Sequence, residues 1–149
     1  MYIMCGLPFA GKSTVARALA SRENAAIVEL DQINAASGLG TKAITPEQWS
    51  GSYAEAYSRL RGLLAAGIPA IFDATNFTRA QRDELRQIAS EARAEATVVY
   101  VPIARLDAER RWIENRRTGV RPDVRDEDFA LVADNFEPPD EDEAALVIR

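Results

Sequence analysis

The chain has no histidine, which excludes histidine-ligated metal sites, histidine triads and imidazole proton relays together. A general base must then come chiefly from carboxylates. The single cysteine, Cys5, excludes an intrachain disulfide, and its place in an apolar run reads as small core filling. No apolar run reaches the roughly 18 residues of a membrane span, and the first residues lack a charged region leading into an apolar one. A cytoplasmic protein with no membrane partner is expected. Positive charge is also in deficit, 18 Lys and Arg against 23 Asp and Glu, for a net charge of −5. That balance argues against a protein held to DNA or RNA by bulk electrostatics, although a local basic cleft is compatible with it. A length of 149 residues suits one domain, 1–149, with its own core.

Gly6-Leu7-Pro8-Phe9-Ala10-Gly11-Lys12-Ser13-Thr14 satisfies G-x-x-x-x-G-K-[ST] completely. Tyr2–Cys5 before it reads as a short buried strand, and Thr14 to Ala20 after it continues as a helix. The motif therefore has the strand–loop–helix context in which it binds phosphate. Glycine at 6 and 11 lets backbone N–H groups turn inward, so Gly6, Pro8, Ala10, Gly11 and Thr14 are candidates to wrap a nucleotide's phosphates. Lys12 supplies a point charge to the β- and γ-phosphates, Ser13 a hydroxyl for Mg²⁺, and the helix its positive end. ATP and Mg²⁺ are the expected cofactors. The competing reading is a glycine-rich turn that binds nothing.

Apolar runs recur at Tyr2–Cys5, Ala26–Leu30, Pro69–Phe72, Thr97–Val101 and Ala145–Ile148, separated by helical patterns. This alternation predicts an α/β domain with a five-stranded, mostly parallel sheet. Thr45-Pro46-Glu47-Gln48 combines a cap, a first-turn proline and a capping-box glutamine, and predicts a helix running to Ala66 before Gly67. Thr78-Arg79-Ala80-Gln81 repeats the box ahead of an apolar stripe at Leu85, Ile88, Ala89 and Ala92. A helical face spans Leu106 to Arg117, and another helix carries Phe129, Val132, Ala133 and Phe136 before Pro138-Pro139. Ser37 to Thr41 reads as a mobile loop. Seven arginines fall between Arg105 and Arg125, whereas Asp126 to Glu143 holds nine acidic residues and no base. The acidic stretch is expected to pair partly with the arginines or simply to aid solubility.

Ligands of open α/β sheets bind at the carboxyl ends of the strands. Asp31 follows one strand run and Asp73 the next, so both carboxylates should converge on the phosphate-loop side. Asp31 is assigned to acceptor binding and general-base work, against the alternative of a loop aspartate capping the next helix. Asp73 fits the Walker B position and would organise Mg²⁺, or else merely brace Ser13. Asn76 is a candidate for the acceptor, with an Asx-turn as its alternative. Arg79 and Arg82 oppose the dipole of the helix they begin, which an anionic ligand there would rationalise. Arg110, Arg111, Arg116 and Arg117 flank Asn115 in a segment, 104–122, suited to a lid that brings cations and excludes water. At least one of these arginines is expected to contact nucleotide, Arg111 and Arg116 on the cofactor, Arg116 and Arg117 at the transferring phosphoryl group. Trp112 and Trp49 read as packing residues in preference to platforms for a base.

Taken together, GLPFAGKST, LD at 30–31, IFDATNFTRAQRDEL at 71–85, RRWIENRR at 110–117 and FEPPDEDE at 136–143 resemble the small P-loop kinases related to polynucleotide kinase and zeta toxin. The resemblance implies the nucleoside-monophosphate-kinase type of fold, with strand order 2-3-1-4-5, and transfer of the γ-phosphate of MgATP to a hydroxyl. It further implies Lys12 and Ser13 at the triphosphate and Mg²⁺, Asp31 as base, and a lid arginine from 110–117. DATN resembles the acceptor-side D-x-N segment of polynucleotide kinases. Those kinases carry an arginine three residues beyond the catalytic aspartate, where this chain has Asn34. That departure and the acidic charge weaken a nucleic-acid 5′ end as acceptor. The reading is an ATP-dependent kinase acting on a hydroxyl-bearing small molecule such as a nucleoside, nucleotide, sugar or antibiotic. A polynucleotide 5′-hydroxyl kinase using Arg79 or Arg82 as phosphate clamp is the second reading, and a nucleotide-binding regulatory protein the third. No N-K-x-D guanine signature occurs.

Overall fold

The computed structural model describes residues 1–40 and 43–149. Five strands, β1 (Tyr2–Cys5), β2 (Ala26–Glu29), β3 (Ala70–Asp73), β4 (Thr97–Tyr100) and β5 (Leu146–Val147), form one sheet in the order β2-β3-β1-β4-β5. Every neighbouring pair is parallel, so the sheet is wholly parallel. The interior strands are correspondingly apolar on both faces. Ile3, Cys5, Phe72 and Val98 point to one side, into a core completed by Leu60, Leu85 and Ile88. Met4, Ile71 and Val99 alternate to the other, against Ala16 and Leu19.

Helix α1 (Lys12–Glu23) leaves the phosphate loop through Gly11, whose φ of 101° is left-handed. Gly6 is required for a different reason: a Cβ there would lie 2.6 Å from the Val101 carbonyl oxygen. Both predicted capping boxes are present. They start α3 (Pro46–Ala65) at Thr45 and α4 (Arg79–Glu91) at Thr78. One boundary differs from expectation. β2 stops at Glu29 and a short helix α2 (Leu30–Ala36) begins at once, so Asp31 lies in a helical first turn and not on a loop. After α2, Ser37 and Gly38 form a turn, while Thr41 of the expected 37–41 loop lies outside the described residues.

Beyond β4, α5 (Arg105–Thr118) and α6 (Asp126–Asp134) are joined by residues 119–125. They enclose a satellite core in which Ala108 and Phe129 pack with Leu7 of the phosphate loop. Trp112 stacks on Phe129 at 4.5 Å and 4°, with the Arg116 guanidinium 4.2 Å over its other face. The Trp112 indole donates to the Val124 carbonyl at 2.8 Å. Trp112 is thus packing, as its sequence context predicts. The acidic end does pair with arginines: Arg116 with Asp126, and Arg105 with Asp134. A further set lies at α4, where Arg82 and Arg86 meet Glu143 and Arg79 meets Asp142.

Candidate active site

A cleft of ≈ 750 Å³ opens along the carboxyl ends of β1, β2 and β3, between α3 on one side and the α5–α6 segment on the other. Pro8, Gly11, Lys12 and Ser13 form its floor. At the start of α1, the N–H groups of Lys12 and Ser13 are among those an α-helix leaves without an intrahelical acceptor, the arrangement by which helix starts can bind anions. Ala10 is buried behind the floor, and the Thr14 N–H already donates to the Gly11 carbonyl at 3.0 Å. Gly6 sits deeper still, its N–H donating to the Thr75 carbonyl at 3.2 Å.

Lys12 is 8 % exposed and donates to the Leu7 carbonyl at 2.8 Å. Burial draws its pKa down to about 8, against the pull of the Asp73 and Asp31 carboxylates. Arg121, also on the cleft wall, pushes the same way as burial. Asp73 ends β3 and is buried. Desolvation raises its pKa, opposed by the Ser13 hydroxyl and the Lys12 ammonium. Asp31 is open to the cleft solvent, yet the surrounding protein strips enough hydration to raise its pKa, with Lys12 opposing. Glu29, which sequence reasoning passed over, is the register partner of Asp73 on the adjacent strand and also lines the cleft. Desolvation, then Asp73 and Asp31, raise its pKa. A strand ending one residue earlier than the apolar run would have exposed it in the sequence.

Mg²⁺ takes hard oxygen donors, commonly one or two carboxylates together with substrate phosphates. The Ser13 hydroxyl and the Asp73 carboxylate are such donors, and the two lie side by side. The donor chemistry fits.

The arginines distribute differently from expectation. Arg116 and Arg117 are absent from the cleft wall. Arg116 is engaged by Asp123, Asp126 and the Val124 carbonyl, and Arg117 by Glu114. Arg111 donates to the Phe9 carbonyl at 3.1 Å, tying α5 to the phosphate loop without lining the cleft. Arg121 and Arg125 line it instead, together with Arg17 of α1. Buried Asn115 directs Arg121 there, bonding the Arg121 N–H at 2.9 Å and its carbonyl at 3.1 Å.

Two acceptor-side candidates are not brought to the cleft. Asn76 is fully buried and donates to the Met4 carbonyl at 2.6 Å, bracing β1 just before the loop. Arg79 forms a two-point pair with Asp142 at 2.8 and 2.7 Å. Arg82 is fully buried against Glu143, so the anions that rationalise these first-turn arginines belong to the chain itself. Arg82 is thereby withdrawn from any substrate phosphate, and Arg79 would have to exchange a solvent-exposed pair to reach one.

A family model described as an AAA domain matches residues 1–139. No curated protein matches the chain. Among solved structures, a gluconokinase from Sinorhizobium meliloti is similar with a TM-score of 0.68 and 18% identity, over 99% of this chain and 80% of that one. Kti12 from Chaetomium thermophilum, in complex with ADP-AlF3, gives 0.67 and 17% over 99% and 87%. A chain of the Pnkp1/Rnl/Hen1 complex gives 0.66 and 22% over 74% of this chain, which spans only 38% of that one. At these identities the likeness is one of fold, the P-loop kinase fold.

Proposed function

The chain belongs to the AAA domain family, and on that footing we propose that it is an ATP-dependent phosphotransferase whose acceptor is a hydroxyl-bearing small molecule. One observation carries the reading: the Lys12 ammonium shares a single cleft with the Asp31 and Asp73 carboxylates, above a helix amino terminus. Cation, helix end and base are the parts that in-line transfer of a phosphoryl group requires. The motif-level resemblance to polynucleotide kinases and zeta toxins belongs to this proposal.

In this mechanism the loop N–H groups and Lys12 hold the triphosphate, Lys12 releasing the Leu7 carbonyl to do so. Ser13 and Asp73 would hold Mg²⁺, which when bound neutralises charge on the β- and γ-phosphates. The acceptor hydroxyl lies against Asp31. As its oxygen bonds to the γ-phosphorus, the bond from that phosphorus to the ADP oxygen breaks and the hydroxyl proton passes to the Asp31 carboxylate. A raised carboxylate pKa makes Asp31 a stronger base than a solvated aspartate. Arg121, with no ion-pair partner among the described residues, is the lid cation best disposed to meet charge on the equatorial oxygens. The Arg116 and Arg117 assignments would require their ion pairs to exchange on nucleotide binding.

The polynucleotide 5′-hydroxyl reading loses support because both of its substitute phosphate clamps, Arg79 and Arg82, are bound within the chain. ADP formation from MgATP, measured with and without hydroxyl acceptors, tests the proposal. Acceptor-dependent ADP, abolished by Lys12→Ala, is the expected result. ATP binding without stoichiometric phosphorylated acceptor would instead favour a regulatory protein.

A further inference from the structure

The described cations of the cleft lie on one side of it, where Asp123 and Asp128 accompany them and Asp128 pairs with Arg125. Among the described residues every cation on its wall, Lys12, Arg17, Arg121 and Arg125, comes from α1 or from the segment before α6. The opposite end, built by α2, α3 and the start of α4, offers Asp31, Asn34, Trp49, Tyr53 and Gln81. Its charged groups are two carboxylates, Asp31 and Glu29.

The aromatic wall there is held from behind. Trp49, Tyr53 and Tyr57 recur every four residues on one face of α3, and Tyr57 meets Phe72 of the core. Ring centroids step inward at 6.2, 5.7 and 5.9 Å, so neither cleft-facing ring can fold aside without disturbing the core. Gln81 donates to the Tyr53 hydroxyl at 3.4 Å and accepts from the Thr78 N–H, which fixes the phenol. Asn34 is 3 % exposed on the cleft wall, and its Oδ1 accepts no hydrogen bond among the described residues. Buried acceptors are rarely left so, and this one has a use for a donor carried by a bound molecule.

Resting on the phosphotransferase reading, we propose that the acceptor is an uncharged, ring-bearing alcohol, seated with a ring face on Trp49 and Tyr53 and a hydroxyl or N–H toward Asn34. An acceptor already carrying a phosphate would bring a second anion beside Asp31 and Glu29, where the cations that act on those carboxylates, Lys12 and Arg17, reach them only from α1, the side assigned to the triphosphate. The site thus selects by rejection as much as by contact. Rejection extends to oligonucleotide 5′ ends, whose nearest phosphate lies one nucleoside from the reacting hydroxyl.

The test measures ADP release from MgATP by the full chain with uridine, adenosine and phenyl β-glucoside. These are set against the nucleoside monophosphates, glucose 6-phosphate, gluconate and a 5′-hydroxyl oligonucleotide. Turnover of an uncharged member is expected, with kcat/KM roughly 100-fold above that of a charged relative that keeps the reacting hydroxyl, gluconate or the 5′-hydroxyl oligonucleotide. Trp49→Ala should raise the acceptor KM about tenfold or more, and Asn34→Asp should do so while unchanged ATP affinity reports an intact fold. Turnover confined to charged acceptors overturns this inference and leaves the phosphotransferase reading standing. An unchanged acceptor KM in both variants also overturns it. ATP binding with no turnover of any acceptor overturns both.

Discussion

Arg82 donates to both carboxylate oxygens of Glu143, from Nε at 2.8 Å and from Nη2 at 2.6 Å, and both side chains are wholly shut off from solvent. The pair joins α4 to the C-terminal segment. Through the Asn76 carbonyl, which Arg82 also binds at 3.0 Å, it reaches the strand that feeds the phosphate loop. Removing one partner of a buried pair leaves an uncompensated charge, a loss of about 3–5 kcal/mol. Glu143→Gln should therefore lower the urea midpoint sharply at neutral pH. Joint replacement by Met and Leu should restore much of it. The Arg82 hydrogen bonds chiefly, against burial and with help from Arg86, hold the Glu143 pKa at about 2 instead of its ordinary 4.5. A depressed carboxylate stabilises the fold fully above its unfolded pKa and loses that contribution as pH falls toward the folded one. The gap between parent and variant should hold above about pH 4.5 and narrow toward pH 2. A gap independent of acidity would contradict the pairing.

The arginines between Arg105 and Arg125 should separate into two kinds. Arg121→Ala should lower kcat by roughly 10²-fold or more, because it removes a cation from the transferring group. Arg116→Ala should spare kcat and lower the melting temperature, since Arg116 covers Trp112 and ties Asp123 to Asp126. Steady-state kinetics and thermal melts of the two variants check this, and the reverse pattern would return the catalytic role to Arg116.

Lys12 makes the free protein sensitive to alkali. Burial has lowered its pKa to about 8, and phosphate recognition needs the ammonium form. kcat/KM for ATP, which reports the free enzyme, should fall as pH rises through about 8, while kcat holds further because bound phosphates keep the proton on. A flat kcat/KM up to about pH 10, where a solvated lysine titrates, would contradict it.

Much of the architecture was legible in the chain itself. The two capping boxes and the phosphate loop are local signals, carried by Thr45-Pro46, Thr78-Arg79 and the glycines at 6 and 11, whereas the strand order came only through the family resemblance. The sheet proves fully parallel where mostly parallel was expected. What escaped depends on distant partners. Glu29 matters because strand register sets it beside Asp73, which no local pattern shows. The presence of Arg121 on the cleft wall, and the absence of Arg116 from it, follow from the Trp112–Phe129 stack and from Asn115, residues whose contacts exist only after α5 and α6 have packed. Arg79 and Arg82 invite an external anion until the chain brings Asp142 and Glu143 back to them from about 60 residues away. α2 offered no proline or Ser/Thr/Asn/Asp cap to announce it, since Glu29 precedes it directly.

The most direct test of the account is Asp31→Asn, an isosteric change that removes the proton acceptor and keeps the side chain's shape. Rapid-quench measurement of phosphoryl transfer to an accepted alcohol should show a fall of about 10²–10⁴-fold. ATP affinity, measured alongside by titration, should stay near that of the parent. Transfer at the parent rate, or a loss explained wholly by weaker ATP binding, would contradict Asp31 as the base.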